Sequence, residues 1–172
     1  MPFHPLEPKK YESKVFTHYP SFISGEVCDK IVENKDLNFK FHPRGDGHRR
    51  GTQVSTADIH TPTEDYGSYI REIYKELCPD DKEIGWINLS VYREGIRLLE
   101  HTDVRSTLTV VSTLTDGYDG GRFYIDGQTL SLNKGDCLVF DGSRIKHGVE
   151  EIKSGIRISL NLWMTPKTMT MI

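Results

Sequence analysis

Nine consecutive residues near the end of the printed sequence alternate in character, reading Gly155-Ile156-Arg157-Ile158-Ser159-Leu160-Asn161-Leu162-Trp163. Successive side chains of a β-strand point to opposite faces, so this period of two predicts a strand. Isoleucine and leucine make one face apolar, and the other face carries Arg157, Ser159, Asn161 and Trp163. Asn161 and Trp163 either line a pocket or close the end of a barrel.

A histidine and an aspartate earlier in the chain have the spacing of metal ligands. If residues 99–104 are extended, His101 and Asp103 lie two apart and project from the same face. His147 supplies a second imidazole. Two histidines and one carboxylate leave about half of an octahedron open, a set typical of non-haem Fe(II) oxygenases. Read singly, either histidine is equally a hydrogen-bonded core or surface residue.

Short extended runs dominate the chain from Trp86 onward and are separated by Gly, Asp and Asn turns. The predicted strands are 86–93, 98–103, 107–114, 121–125, 135–140 and 156–164, with Asp126-Gly127 as a tight hairpin turn. Helices followed by several short strands favour an α+β protein whose catalytic part, about 86–165, is a jelly roll or barrel. A length of 172 residues predicts one domain, 1–172.

Two helices are predicted before the strands. Ser24 is a plausible N-cap for a helix that ends near Asn34. Residues 1–20 are polar and aromatic, and we expect them to run as an extended arm over the domain.

The second helix has a clear start signal in the sequence. Thr61 is the predicted N-cap, Pro62 the first helical residue and Glu64 the reciprocal residue of a capping box. Apolar residues then recur at intervals of three and four, so the helix should reach about Leu77 and stop at Pro79.

A loop at residues 42–52 is rich in glycine and basic residues, including Arg49 and Arg50. It reads either as a solvated loop or as a mobile flap that contacts substrate, because binding residues concentrate on loops held by a rigid scaffold.

Composition narrows the class of protein. A net charge of −3 argues against a dedicated nucleic-acid binder, whose footprint is usually basic. The three cysteines are widely spaced and odd in number, which is typical of free thiols in a reducing compartment. No secretory signal and no run of about 20 apolar residues is found, so we expect a cytoplasmic protein without a membrane segment.

Several motifs fall in register with the three candidate ligands. A Gly-Asp-Cys-Leu-Val-Phe run at 135–140 precedes His147, and Arg157 follows it by ten residues. With the stretch from Val91-Tyr92-Arg93-Glu94-Gly95 to His101-Thr102-Asp103, these motifs resemble the 2-oxoglutarate and Fe(II)-dependent oxygenases, in their prolyl-hydroxylase-like branch. The resemblance covers roughly residues 20–165.

The resemblance implies a double-stranded β-helix (jelly roll) core with supporting N-terminal helices. It implies Fe(II) held by His101, Asp103 and His147, with 2-oxoglutarate and O2 as cosubstrates. The far carboxylate of 2-oxoglutarate needs a cation. Arg157 offers a planar fork for it, and Ser159 and Tyr92 are the expected additional donors.

Two arginines give a weaker indication of the substrate. Collagen-type prolyl hydroxylases generally carry lysine at the position of Arg157, so this position is more similar to the oxygen-sensing prolyl hydroxylases and other arginine-bearing members. Many relatives have an acidic residue where this chain has Arg122. Arg105 and Arg122 either contact substrate or are solvated surface charges.

Three functions are consistent with the sequence. The first is hydroxylation of a prolyl or other residue in a protein or peptide. The second is the same chemistry on a free amino acid, another small molecule or a methylated nucleobase, with the basic loop gripping phosphate. The third is a jelly-roll module that holds a metal without oxygenase activity, and Arg157 beside Ser159 speaks against it.

Overall fold

The computed structural model describes residues 10–34, 41–43, 57–103 and 107–167. Within these ranges the helices are α1 Gly25–Asn34 and α2 Glu64–Tyr74, followed by a 3-10 turn at Lys75–Leu77. The strands described there are β1 Tyr11–Glu12, β2 Phe16–Tyr19, β3 Phe41–Pro43, β4 Asp58–Pro62, β5 Lys82–Tyr92, β6 Leu98–His101, β7 Leu108–Thr113, β8 Asp119–Gly120, β9 Phe123–Ile125, β10 Gln128–Leu130, β11 Cys137–Phe140, β12 His147–Val149, β13 Ile152–Ser154 and β14 Arg157–Pro166.

Two antiparallel sheets form the body of the molecule. The major sheet has the order β1-β2-β11-β7-β14-β5-β4-β3, and the minor sheet has the order β10-β9-β12-β6. From β5 to β7 the chain passes from the major sheet to the minor sheet and back, and it does so again from β11 through β12 to β14. This alternation is the double-stranded β-helix that the family resemblance implies.

Strand β14 lies inside the major sheet and has two distinct faces. It pairs along its whole length with β5, and its central part pairs with β7. Ile158, Leu160 and Leu162 are buried on one face, among the residues that contact the helices. The predicted alternation is therefore present, and the opposite face is directed to the inside of the β-helix.

The helices cover the outer face of the major sheet. Helix α1 begins after Ser24, whose Oγ accepts a hydrogen bond of 3.1 Å from the backbone N–H of Val27. Cys28 and Ile31 of α1 and Ile70 of α2 are completely buried in this layer. A second apolar cluster fills the space between the two sheets and includes Phe123, Ile125, Leu138, Phe140 and Val149.

The start of α2 differs from the sequence prediction. Thr61 and Pro62 end strand β4, which pairs with β5 and β3, so neither residue is helical. The helix begins at Glu64, and Thr63 is the N-cap, accepting a hydrogen bond of 3.4 Å from Tyr66 N–H. Strand pairing holds Thr61 and Pro62 extended, so the cap moves to the next hydroxyl. The prediction of a capping box at Thr61 and Glu64 was wrong.

The N-terminal arm is more ordered than the sequence indicates. Residues Phe16–Tyr19 form strand β2 and pair with β11 in the major sheet, and Tyr11–Glu12 pair with β2. Residues 1–9 and 44–56 lie outside the described residues; of the predicted loop at 42–52, only His42 and Pro43 are described, and they belong to strand β3. Neither of the two described helices has the length and hydropathy needed to span a bilayer.

Candidate active site

Strand pairing in the minor sheet brings the two histidines together. His101 is the last residue of β6 and pairs directly with His147, the first residue of β12. Asp103 lies just beyond β6, where its backbone N–H donates to the Gly142 carbonyl at 2.8 Å. One potential ligand atom from each of these three residues lies within 4.8 Å of the other two, so they could hold a metal ion.

The Nε2 atom of each imidazole is directed at the Asp103 carboxylate. Nδ1 of His101 lies 2.8 Å from the Leu99 carbonyl, and Nδ1 of His147 lies 2.7 Å from the Ile145 carbonyl. These carbonyls accept the Nδ1 protons, which leaves the Nε2 lone pairs free. His101 Nε2 lies 3.4 Å and His147 Nε2 lies 3.2 Å from Asp103 carboxylate oxygens. A proton or a metal ion between these atoms would remove the repulsion between the facing lone pairs.

Electrostatics favour the same conclusion. Burial alone raises the pKa of Asp103, but the neighbouring His101 and His147 imidazoles and the Thr109 hydroxyl hold that pKa well below its ordinary value. Burial lowers the pKa of His101, yet its interaction with Asp103 outweighs burial and leaves the pKa raised. The carboxylate is therefore ionised, and the three groups together attract positive charge.

Aromatic packing restricts the ring of His147. The ring lies 4.7 Å from the Phe140 ring in an edge contact and 6.0 Å from the stacked Phe123 ring, centroid to centroid. The ring of His101 lies 4.5 Å from that of His147. His147 is only 3% exposed. Little rearrangement is therefore needed for the two rings to bind one ion.

The inner face of the major sheet forms the floor beneath these ligands. Register places Arg157 opposite Tyr92, Ser159 opposite Ser90, and Asn161 opposite Asn88. The Asn161 amide donates to Asn88 at 2.9 Å and to Ser90 at 3.0 Å, and it accepts from Ser159 at 3.3 Å. These side chains and the three candidate ligands line one cavity of about 140 Å³. The two sheets therefore contribute opposite walls of a single site.

Arg157 is the unusual group in this cavity. It is 1% exposed, and neither its Nε nor its Nη2 has a hydrogen-bond partner among the described residues. Its guanidinium carbon lies 5.4 Å from the centre of the Tyr92 ring, a cation–π contact. A buried guanidinium without a carboxylate is costly, so the geometry fits an anionic ligand that reaches Arg157 from the cavity.

The structure places most of the sequence-predicted site residues in this cavity. The residues that line it are His101, Asp103, His147, Arg157, Ser159, Tyr92, Asn161 and Trp163. Arg122 does not line it, because its guanidinium pairs at the surface with both carboxylate oxygens of Glu150, at 2.8 and 3.3 Å. Arg49, Arg50 and Arg105 lie outside the described residues.

Three polar residues of the site, Asn88, Ser90 and Thr109, are absent from the sequence prediction. Asn88 and Ser90 alternate with Ile87 and Leu89 in the printed sequence, and this period of two was a usable signal. Thr109 donates to Asp103 Oδ2 at 2.6 Å, but one threonine among several on a strand carries no local sign of that contact.

One family model matches the chain. Residues 87–165 match the model described as the 2OG-Fe(II) oxygenase superfamily, and the matched segment includes all three candidate ligands and Arg157. No curated protein matches the sequence.

Solved structures with the same fold extend beyond that segment. A viral collagen prolyl hydroxylase from Paramecium Bursaria Chlorella virus-1, in complex with 2OG, is 16% identical with a TM-score of 0.66, covering 88% of this chain and 96% of that chain. A Trichoplax adhaerens prolyl hydroxylase, bound to a hypoxia inducible factor peptide fragment, is 15% identical with a TM-score of 0.68, covering 91% and 86%.

A third structure widens the range of similar proteins. HygX from Streptomyces hygroscopicus, with nickel and 2-oxoglutarate bound, is 9% identical with a TM-score of 0.67, covering 88% of this chain and 83% of that chain. At these identities the likeness is one of fold. The match over residues 87–165, the fold shared with these structures and the cluster of His101, Asp103 and His147 together make the chain similar to the 2OG-Fe(II) oxygenases, whose cofactors are Fe(II), 2-oxoglutarate and O2.

Proposed function

We propose that this enzyme hydroxylates a prolyl residue of a peptide or protein substrate. In the balanced reaction 2-oxoglutarate, O2 and a substrate C–H bond give succinate, CO2 and a C–OH bond. The observation that best supports the oxygenase assignment is the buried Arg157 guanidinium. Its Nε and Nη2 have no partner among the described residues, and it lines the same cavity as three convergent metal-ligand side chains.

His101, Asp103 and His147 are the proposed Fe(II) ligands. Their two neutral imidazoles and one carboxylate offset one of the two charges of the ion, so a dianionic cosubstrate is matched in charge. The Leu99 and Ile145 carbonyls fix the imidazole tautomers that expose Nε2. When bound, the metal supplies the oxidative chemistry, and the protein contributes the orientation of the groups around it.

Arg157 is the proposed partner of the far carboxylate of 2-oxoglutarate. Its Nε and Nη2 are adjacent donors in a planar fork, which suits a bidentate interaction with a carboxylate. The Tyr92 ring packs against the guanidinium and limits where that fork can point. Ser159 lies two residues further along the same face, and its hydroxyl, which donates to Asn161 at 3.3 Å, is the proposed additional donor once it turns towards the cosubstrate. Water is largely excluded there, which strengthens the ion pair.

The proposed substrate class rests on fold and on coverage. Two of the similar structures are prolyl hydroxylases, and one of them holds a peptide fragment. This chain covers 96% and 86% of those two chains, so the likeness is not confined to the metal-binding strands. A peptide is therefore favoured over a free amino acid, another small molecule or a nucleobase.

Succinate formation tests this proposal. The purified protein is supplied with Fe(II), 2-oxoglutarate and air, with and without a pool of proline-containing peptides, and with matched peptides that carry alanine at each proline. We expect the proline peptides alone to stimulate succinate release and to gain one oxygen atom by mass spectrometry. Slow turnover that no peptide stimulates would contradict the prolyl assignment and favour a small-molecule substrate. No turnover at all would contradict the oxygenase roles.

A further inference from the structure

The two histidines of the candidate metal site are supported unequally. His147 begins β12, which is paired on both sides in the minor sheet, and its side chain is 4% exposed. His101 ends β6, which lies at the edge of that sheet in the described structure, and its side chain is 27% exposed. An edge strand lacks a partner on one side, so it opens at a lower free energy than a central strand. The orientation of His101 therefore depends more strongly on what holds β6.

Strand β6 carries one extra residue opposite β12. Leu98 pairs with Val149 and His101 pairs with His147, so three steps along β6 (98 to 101) match two steps along β12 (147 to 149). An insertion of this kind is a β-bulge, which disrupts the local ladder and re-aims side chains next to active sites. Within this bulge the Leu99 carbonyl lies 2.8 Å from Nδ1 of His101. The shape of the bulge therefore determines the direction of His101 Nε2.

A tyrosine from a third strand contacts this bulge. Tyr124 of β9 is the register partner of Gly148 of β12, and its hydroxyl crosses β12 to donate a hydrogen bond of 3.0 Å to the Leu98 carbonyl. Phe123 and Ile125 are buried between the two sheets, so Tyr124 lies on the outer face of the minor sheet. It is not among the residues that line the cavity of about 140 Å³. Any effect of Tyr124 on the site must therefore pass through β6.

Gly148 makes this crossing possible. A Cβ atom at position 148 would overlap both the Tyr124 hydroxyl and the Leu98 carbonyl oxygen. A side chain at this position would therefore separate the two groups that form the hydrogen bond. Replacement of Gly148 should break the same contact as removal of the hydroxyl.

We propose that Tyr124 is a positioning residue for His101, because its hydroxyl holds the bulge of β6 in the form that directs Nε2 towards Asp103 and His147. The proposal rests on the metal-binding role given above to His101. The hydrogen bond pre-organises one ligand of the site before the metal arrives. Without it, β6 adopts other conformations, and the free energy needed to order the strand weakens metal binding.

Cobalt binding and hydrogen exchange by the metal-free protein test the proposal without turnover. Co(II) is titrated into the wild type and Tyr124→Phe, and its visible absorption reports both affinity and coordination. We expect Tyr124→Phe to bind Co(II) about 10-fold more weakly, as for other groups that orient a metal ligand. The backbone amides of β6 should exchange faster, while those of helix α2 keep their wild-type rates. A tyrosine that only supports the fold would leave Co(II) affinity unchanged.

Matched variants separate the crossing from general packing. Tyr69→Phe removes a phenol hydroxyl from a half-buried tyrosine of helix α2, on the other side of the major sheet, and should leave Co(II) affinity unchanged. Gly148→Ala should weaken Co(II) binding in the wild-type chain. It should do so by a smaller factor in the Tyr124→Phe chain, because the hydroxyl that the new methyl group meets is then absent.

The outcomes distinguish this inference from the function on which it rests. Wild-type Co(II) affinity in Tyr124→Phe would overturn the positioning role while leaving the metal site intact. Faster exchange in α2 as well as in β6 would indicate a general loss of stability and would also overturn that role. If the wild type does not bind Co(II), or if His101→Ala binds it equally well, the proposed metal site is wrong and the inference falls with it.

Discussion

Two concave regions among the described residues differ in a way that their volumes alone do not reveal. The surface cleft beside Arg122, Glu150 and Lys153 measures about 620 Å³, whereas the cavity beside Arg157 measures about 140 Å³. In the larger cleft the arginine is about half exposed and paired with Glu150. In the smaller cavity the arginine is buried and lacks partners at two of its nitrogens among the described residues. Unsatisfied buried charge, rather than size, distinguishes the candidate active site.

The largest effect is expected from substitution of Asp103, whose carboxylate lines the small cavity. Asp103→Ala should abolish Co(II) binding and reduce succinate formation to background, because it removes the carboxylate to which both imidazoles point. It also leaves the Thr109 and Trp163 donors without an acceptor, so we expect a loss of about 1–3 kcal/mol in the free energy of unfolding. Metal titration and thermal denaturation measure the two effects. A folded variant with normal turnover would refute the metal assignment.

Arg157 and Arg122 allow a direct comparison between a buried arginine and an exposed one. Arg157→Met should raise the KM for 2-oxoglutarate by about 100-fold, since removing one partner of a buried ion pair costs about 2–5 kcal/mol. Arg122→Met keeps the same shape change but breaks an exposed pair, and the KM should stay at the wild-type value. Initial rates against 2-oxoglutarate concentration measure both. Equal changes in the two variants would remove the special role of Arg157.

The unpaired charge also has a consequence for stability. Without 2-oxoglutarate, Arg157→Met should unfold at a higher temperature than the wild type, because replacing a buried ionic group by an apolar one can stabilise by about 1–4 kcal/mol. A 2-oxoglutarate concentration of about 100 times Kd should stabilise the metal-loaded wild type by about 2.7 kcal/mol. Calorimetry with and without 2-oxoglutarate measures the unfolding temperatures of both proteins and shows whether their order reverses. If the ligand stabilises both proteins equally, Arg157 does not bind it.

Gly142→Ala tests how tightly the metal side is packed. The new methyl group would overlap Thr109 and Asp103, so we expect a loss of about 1–3 kcal/mol in stability and weaker Co(II) binding. Gly85→Ala is a useful comparison because its Cβ would press on the Thr165 side chain, away from the carboxylate. A similar loss of stability with unchanged metal affinity is expected there. Unchanged Co(II) binding in Gly142→Ala would show that the segment can move aside.

The smallest effect belongs to the large cleft. Glu150→Gln removes one charge of the exposed pair with Arg122, and such pairs contribute about 0–1 kcal/mol. We expect a change in unfolding free energy within that range and no change in 2-oxoglutarate dependence. Chemical denaturation at low and high salt measures it. A loss of cosubstrate affinity would mean that the cleft communicates with the small cavity.

Local alternation was the most reliable guide from the sequence. The odd residues from Arg157 to Trp163 line the cavity and the even ones pack towards the helices, because a strand paired on both sides can hold only one register. The tight turn at Asp126-Gly127 is also present, with positive φ at both residues. These features depend on neighbouring residues alone.

Features that depend on distant partners were harder to read. The helix start was misplaced because pairing of β4 with β3 and β5 overrode a good local cap at Thr61. The contacts of Thr109 and Gly142 with Asp103 join segments that no periodicity connects. The convergence of His101 and His147 became visible only through the pairing of β6 with β12, although their residue types had suggested it.

In strand β14 a single alternation of side chains determines both which residues face the site and which residues fill the core. Arg157 and Ser159 face the site, while Ile158 and Leu160 fill the helix-side core. A deletion of one residue within the strand would turn the arginine towards the helices and an isoleucine towards the cavity. Substitution of Arg157 can therefore give an inactive protein that still folds, whereas an insertion or deletion in β14 should disrupt the fold as well as the site. Among homologous proteins, the number of residues between positions 157 and 163 should therefore vary less than the identity of those residues.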